Sequence, residues 1–160
     1  MAQQGSPEIS IGVISDTHGL LRPEALEALR GSDFIIHAGD VGDPKIIPAL
    51  EKIAPVTAVR GNIDAEPWTR ELPEDAVLQV GDIKIYTIHN LKNLRLDPAA
   101  EGHAAVISGH SHMPKQETIK GVLYFNPGSA GPRRFRLPIT LGRLRVRGCG
   151  IDAQLLTLMR

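Results

Sequence analysis

The sequence predicts an α/β fold built from two sheets with helices on the outside. In the first half, short β-branched runs alternate with amphipathic segments, the pattern of βαβ units and a largely parallel sheet. In the second half helical periodicity disappears, and strand candidates follow one another across turn signals. With 160 residues, 42% of them hydrophobic, the chain is sized for one domain spanning 1–160 around one core.

Taken in order, Ile9–Ile14 is a β-branched run that ends in the polar turn 15–19. Pro23–Leu29 reads as a helix, with proline in its first turn and Leu26 and Leu29 on one face. A second strand, 34–38, ends in Gly39-Asp40. Beyond Pro44, Ile46, Ile47, Leu50 and Ile53 recur at helical spacing, and a third strand, 56–59, ends in Gly61-Asn62. Residues 76–80 and Ile83–Ile88 flank Gly81-Asp82, a hairpin signal. Further strands are expected at 104–108 and 121–125, and a terminal hairpin from 143–146 and 151–158 around 148–150. Internal repeats, low-complexity segments and linkers are not evident.

Composition narrows the chemistry. A formal net charge of zero gives no global field to recruit nucleic acid or an anionic membrane. The single cysteine, Cys149, excludes an internal disulfide and a thiolate-based zinc site. No apolar run approaches the roughly 20 residues that cross a bilayer. The polar stretch 1–7 has no basic region followed by an apolar one, so a cytoplasmic protein is expected.

The polar residues are informative through their positions. Asp16 with His18, Asp40, Asn62, His89, and His110 with His112 each lie just beyond a predicted strand. Sites in α/β sheets form there, because loops converge while the strands hold them rigid. Singly these motifs are weak. Asp16–His18 fits a helix N-cap beside a surface histidine, Gly39-Asp40 and Gly61-Asn62 are ordinary turn dipeptides, and His89 alone is a common loop residue. Gly-His-Ser-His at 109–112 is stronger, since alternate imidazoles after a buried strand are unusual without a ligand. Together, five strand ends deliver seven potential ligands, all carboxylate, imidazole or amide. That set suits manganese, iron, zinc or nickel. Seven exceed the needs of one open catalytic metal, and two metals sharing a carboxylate is the economical inference.

These motifs resemble the calcineurin-like metallophosphoesterase superfamily. The resemblance rests on Ser-Asp-Thr-His-Gly at 15–19, His-Ala-Gly-Asp at 37–40, Val-Arg-Gly-Asn at 59–62, His89, Gly-His-Ser-His at 109–112 and Asn-Pro-Gly-Ser at 126–129. The short length and the Gly-Asn-x-Asp form at 61–64 are similar to its compact bacterial and archaeal phosphodiesterase branch, to which the eukaryotic retromer subunit Vps29 is related. The resemblance implies a four-layer α/β/β/α sandwich and two divalent metals, manganese first. Asp16, His18, Asp40 and His112 would hold one metal; Asp40, Asn62, His89 and His110 would hold the other, with Asp40 bridging. Asp40, Asn62 and His89 would carry the catalysis, an attack of metal-activated hydroxide on a small phosphoester. A phosphomonoesterase, or a Vps29-like interaction module, is the alternative, although every ligand type is present. A homo-oligomer stays open as a partner.

Three departures from the family pattern stand out. Ile63 occupies a position where many members have a proton-donating histidine, so activated leaving groups are expected. Asn90 follows His89 where glycine is frequent. The segment 90–104 is short for a helix, and Pro98 interrupts it. Around the ligands, His37 reads as a buried structural histidine, Asp64 as a turn cap or an orienter of an imidazole, and Arg60 as an exposed strand-end residue or a substrate contact. Trp68 reads as a loop anchor; 126–129 reads as a tight turn, and the resemblance implies that it supports the metal edge. Arg133, Arg134, Arg136, Arg143, Arg145 and Arg147 make the C-terminal part basic. Period-two spacing at 143–147 fits a half-exposed strand guarding a sheet edge; phosphate or nucleic-acid contact is the alternative.

Overall fold

The computed structural model describes residues 7–159, so most of the polar stretch 1–7 lies outside the described residues. Two five-stranded mixed sheets face each other. In the first, β1 (Ile9–Ile14), β2 (Phe34–His37) and β3 (Val56–Ala58) run parallel, joined through helices α1 (Pro23–Leu29) and α2 (Ile46–Glu51). The long hairpin β9 (Ile139–Arg147) and β10 (Gly150–Met159) completes it antiparallel, in the order β10-β9-β1-β2-β3. The second sheet contains β4 (Asp75–Val80), β5 (Ile83–Ile88), β6 (Ala105–Ile107), β7 (Lys115–Ile119) and β8 (Val122–Asn126), in the order β4-β5-β6-β8-β7. Its central β5, β6 and β8 are parallel, and its edges are antiparallel. Among the described residues no helix is long and apolar enough to cross a membrane.

Alternation along each strand builds the layers. Ile11, Val13, Ile36 and Ala38 face Ile85, Ile107 and Phe125 between the sheets. Ile14 and Ile35 point the other way, against Ala25 and Leu29 of α1 and Ile46 and Leu50 of α2. Most of these side chains are fully buried, and each of the valine, leucine, isoleucine and phenylalanine side chains stabilises by about 1.5–3 kcal/mol. The outer face of the second sheet carries Tyr86, Ile88 and Val106, covered by Leu94 and Leu96 of the 90–104 segment. That segment contains only a 3₁₀ turn, Leu91–Asn93, and no α-helix, so the fourth layer of the sandwich is thin. Gly81 and Asp82 make the expected tight hairpin between Val80 and Ile83, with Gly81 at φ +59°.

One expectation is corrected. β9 lies between β10 and β1, so the arginines at 143–147 do not guard an edge. Arg143 instead reaches the Ala28 carbonyl of α1, and Arg145 and Arg147 pair with Glu8.

His37 closes β2 and is fully buried. Its Nδ1 accepts the Gly39 N–H at 3.1 Å, so its proton sits on Nε2 and points to Thr17 Oγ1 at 3.0 Å. Thr17 Oγ1 in turn donates to the Val41 carbonyl at 2.8 Å. The neutral ring thus pins the loop after β1 to the loop after β2, and burial pushes its pKa down to about 4. An unfolded histidine protonates near 6.5, so the contribution to stability is complete above that pH and is lost as pH falls toward 4. The loss amounts to roughly 3 kcal/mol. Thermal melts between pH 7 and pH 4 should show it as a decline that His37→Gln flattens.

Candidate metal centre

The loops after β1, β2, β3, β5 and β6 meet at one edge, and hydrogen bonds lock them together. Asp16 N–H donates to Gly39 O at 3.0 Å, His18 N–H to Asp40 O at 2.9 Å, and Gly109 N–H to His89 O at 3.0 Å. The Asp64 carboxylate accepts the N–H groups of Val41, Gly42 and Gly61. It caps the loops, and among the described residues no imidazole hydrogen-bonds to it. Five predicted ligands, Asp16, His18, Asp40, His110 and His112, have φ between +46° and +73°. This left-handed region is uncommon for side-chain-bearing residues and is tolerated best by Asn, Asp and His. Glycines before the ligands permit close approach: a Cβ at Gly61 would overlap the Asp40 amide nitrogen and Oδ1, and one at Gly109 would overlap Ser15 Oγ.

Both carboxylates are tied at one oxygen and open at the other. Asp16 is fully buried; its Oδ2 accepts from Ser15 Oγ at 2.7 Å and His110 N–H at 3.1 Å, while Oδ1 has no hydrogen-bond partner. Asp40 Oδ1 accepts the Ile63 N–H at 3.0 Å, and its Oδ2 lies 3.5 Å from His18 Nε2 and 3.3 Å from His89 Nε2. Asp16 Oδ1 is 3.5 Å from His112 Nε2, 3.7 Å from His18 Nε2 and 4.0 Å from His89 Nε2. His89 Nδ1–H donates to the Ala38 carbonyl at 2.7 Å, which turns Nε2 inward.

The ligand atoms form two overlapping groups, Asp16, His18, His112 and Asp16, Asp40, His89, each within 4.8 Å. Buried and otherwise unpartnered nitrogen and oxygen atoms at such spacing fit a shared divalent cation, whose ligands at about 2.0–2.2 Å stand about 3–4 Å apart. Asp16, expected on one metal only, therefore belongs to both groups. Asn62 and His110 lie outside them on the exposed rim. His110 Nδ1 is 2.9 Å from Asn62 Oδ1, and its ring stands edge-on to His89 at 5.3 Å.

Electrostatics follow from this crowding. Burial acts to raise the Asp40 pKa, but the adjoining His89 imidazole and the hydrogen bond from the Ile63 N–H prevail and bring it to about 2. Burial likewise opposes protonation of His89, yet Asp40 and Asp16 hold its pKa above the ordinary value. His112 is pushed down by burial, with the positive charge of Arg134 acting in the same direction.

The surrounding residues sort clearly. Asn126 Nδ2 donates to Gly109 O and Ser111 Oγ, and Ser129 Oγ donates to Asp16 O, so 126–129 braces the metal edge as expected. Trp68 packs against the helix-side core as a loop anchor. Arg60 pairs with Glu74 at 3.6 Å and lines a cleft of about 490 Å³ beside His89 and Asn62, with Tyr86, Ile88, Asn93 and Arg95. Sequence reasoning missed Ser15 and Thr17, although both sit inside the Ser-Asp-Thr-His motif. Their hydroxyls fix Asp16 and the neighbouring loop.

Residues 9–148 match the calcineurin-like phosphoesterase superfamily domain. The chain belongs to that superfamily. It is 34% identical to a probable metallophosphoesterase of Methanothermobacter thermautotrophicus, over 91% of each chain. It is 28% identical to the phosphodiesterase YfcE of Escherichia coli, over 81% of this chain and 84% of that one. The fold also superposes on vacuolar protein sorting 29 from Cryptosporidium parvum with a TM-score of 0.75, at 19% identity, covering 96% and 99%. At that identity the likeness concerns the fold.

Divalent metal should raise the melting temperature. A hundredfold excess over Kd corresponds to about 2.7 kcal/mol. Gly61→Ala should shrink this shift, read by scanning fluorimetry with manganese against EDTA, because the added methyl displaces Asp40.

Proposed function

We propose that the protein is a dinuclear-metal-dependent phosphodiesterase, with one domain carrying the activity. The observation that supports it is the meeting of buried, unpartnered atoms of Asp16, His18 and His89 beside Asp40 and His112. Asp16, His18, Asp40 and His112 would hold one cation, and Asp40, Asn62, His89 and His110 the other, with Asp40 Oδ2 between the His18 and His89 imidazoles. Such a pair supplies an activated water at neutral pH and neutralises charge on the phosphoryl oxygens. The oxygens of Asp16, Asp40 and Asn62 suit manganese, and the four imidazoles suit iron, zinc or nickel as well.

The chain's own groups orient the reaction. Ala38 O holds the His89 ring, Ser15 holds Asp16, and the Ile63 N–H holds Asp40, so the donors meet the substrate already aimed. Asn62 and His110 stand on the open rim, where a phosphoryl oxygen enters. Ile63 is 47% exposed there and has no proton to give. Solvent must then protonate the leaving group, which forgoes the 10²–10⁴-fold typical of a general acid and favours leaving groups of low pKa. The adjoining cleft has room for a second ester group, which a monoester lacks; this supports the diester reading, as does the name of the 28% identical relative. The likeness of fold to Vps29 supports a second reading, an interaction module without turnover.

With manganese, an aryl phosphodiester should be hydrolysed, Asp40→Asn should be nearly inactive, and full activity of that variant would refute the bridging role. Ile63→His should raise the rate on an alkyl diester by about 10²-fold, with little change on the aryl ester.

A further inference from the structure

The basic C-terminal part divides into two populations. The strand arginines are already engaged: Arg143 bonds Ala28 O, and Arg145 and Arg147 pair with Glu8. Arg133, Arg134 and Arg136 instead sit on the loop 131–138, where the chain has no acidic residue between Glu117 and Asp152. Arg134 and Arg136 make no ion pair among the described residues. Arg133 Nη1 donates to Leu137 O at 3.0 Å and braces the loop. Between these cations stands Phe135, 86% exposed and at φ +55°. A bulky ring held in left-handed backbone and turned into water serves no core, and such outliers collect where a ligand is engaged.

The loop leaves directly from the metal edge. Ala130 N–H donates to Ser15 O at 3.1 Å, and Gly131 N–H to Ser129 Oγ at 3.3 Å. Gly131 lies so close that a Cβ would overlap the Asp16 and Thr17 carbonyl oxygens. Arg22 Nη2 fixes the Gly131 carbonyl at 3.1 Å. Met113, which follows His112, is also exposed. None of these residues lines the cleft beside His89.

We propose that the loop 131–138 binds single-stranded nucleic acid and lays its backbone across the metal centre, with Phe135 stacking on a base and Arg134 and Arg136 holding phosphates. A cation–ring–cation sequence matches a strand, whose bases offer flat faces to aromatics and whose phosphates attract arginine. A lone ring offers little area for membrane insertion. Cleavage of the bound strand rests on the phosphodiesterase reading: one water adds across a bridging P–O bond, leaving a phosphomonoester and a hydroxyl. Binding does not rest on it.

The test titrates the full chain against a fluorescein-labelled deoxythymidylate dodecamer by anisotropy, once in EDTA and once with manganese. Binding is expected in EDTA, Phe135→Ala should weaken it about 5- to 150-fold, and Arg134→Ala with Arg136→Ala should lower the log–log salt slope by about 1.4. Arg145→Ala should leave binding unchanged. Phe135 is too exposed for its loss to unfold the chain, and a melt of each variant checks this. No binding by the wild type, binding indifferent to Phe135→Ala, an equal loss in Arg145→Ala, or binding of phosphatidylserine vesicles in place of the strand would each overturn the proposal. Binding in EDTA without a time-dependent anisotropy fall in manganese would sink the hydrolytic reading alone.

Discussion

Two carboxylates, Asp16 and Asp40, are buried side by side in the structure, and the arrangement around them makes that burial tolerable. Withdrawing an ionised carboxylate from water costs several kcal/mol unless it is paired and hydrogen-bonded. Here one oxygen of each acid is satisfied by Ser15, His110 N–H or Ile63 N–H, and the other faces imidazoles. The protein satisfies one oxygen of each acid by hydrogen bonding and leaves the other pointing inward. A rigid frame is therefore required, and His37, Thr17 and Asp64 provide it from behind.

The two sides of the centre differ in character. Asp16 and His112 are buried and braced by 126–129, whereas Asn62 and His110 are exposed and hydrogen-bonded to each other. The braced side defines position, and the open side remains accessible to a reactant. The cleft adjoins the open side, and the basic loop springs from the braced one.

Much of this was legible in the sequence because periodicity and turn chemistry agreed. Ile9–Ile14, Pro23–Leu29 and the Gly81-Asp82 hairpin appear as read. β7 was not legible: Lys115, Gln116, Glu117 and Thr118 are largely exposed on an outer strand, and no apolar alternation marks them. The place of β9 was misread because alternating arginines look alike on an edge and on a solvent-facing central strand. Strand-end placement pointed to Asp16, His18, Asp40, His89 and His112, which the fold brings together, whereas the support from 126–129 was implied by the resemblance alone. The sharing of Asp16 between both groups, and the pairing of His110 with Asn62, depend on distances that no spacing encodes.

The left-handed backbone at Asp16, His18, Asp40, His110 and His112 has a consequence for reading variants. Glycine or asparagine would suit those torsions at least as well as aspartate or histidine. Asparagine would also keep an oxygen for the His110 and Ile63 N–H groups that Asp16 and Asp40 now receive, so neither the torsions nor those bonds demand a charge. A homologue carrying asparagine at these places would keep the torsions while surrendering its chemistry, so likeness of outline is a poor guide to who still performs the reaction.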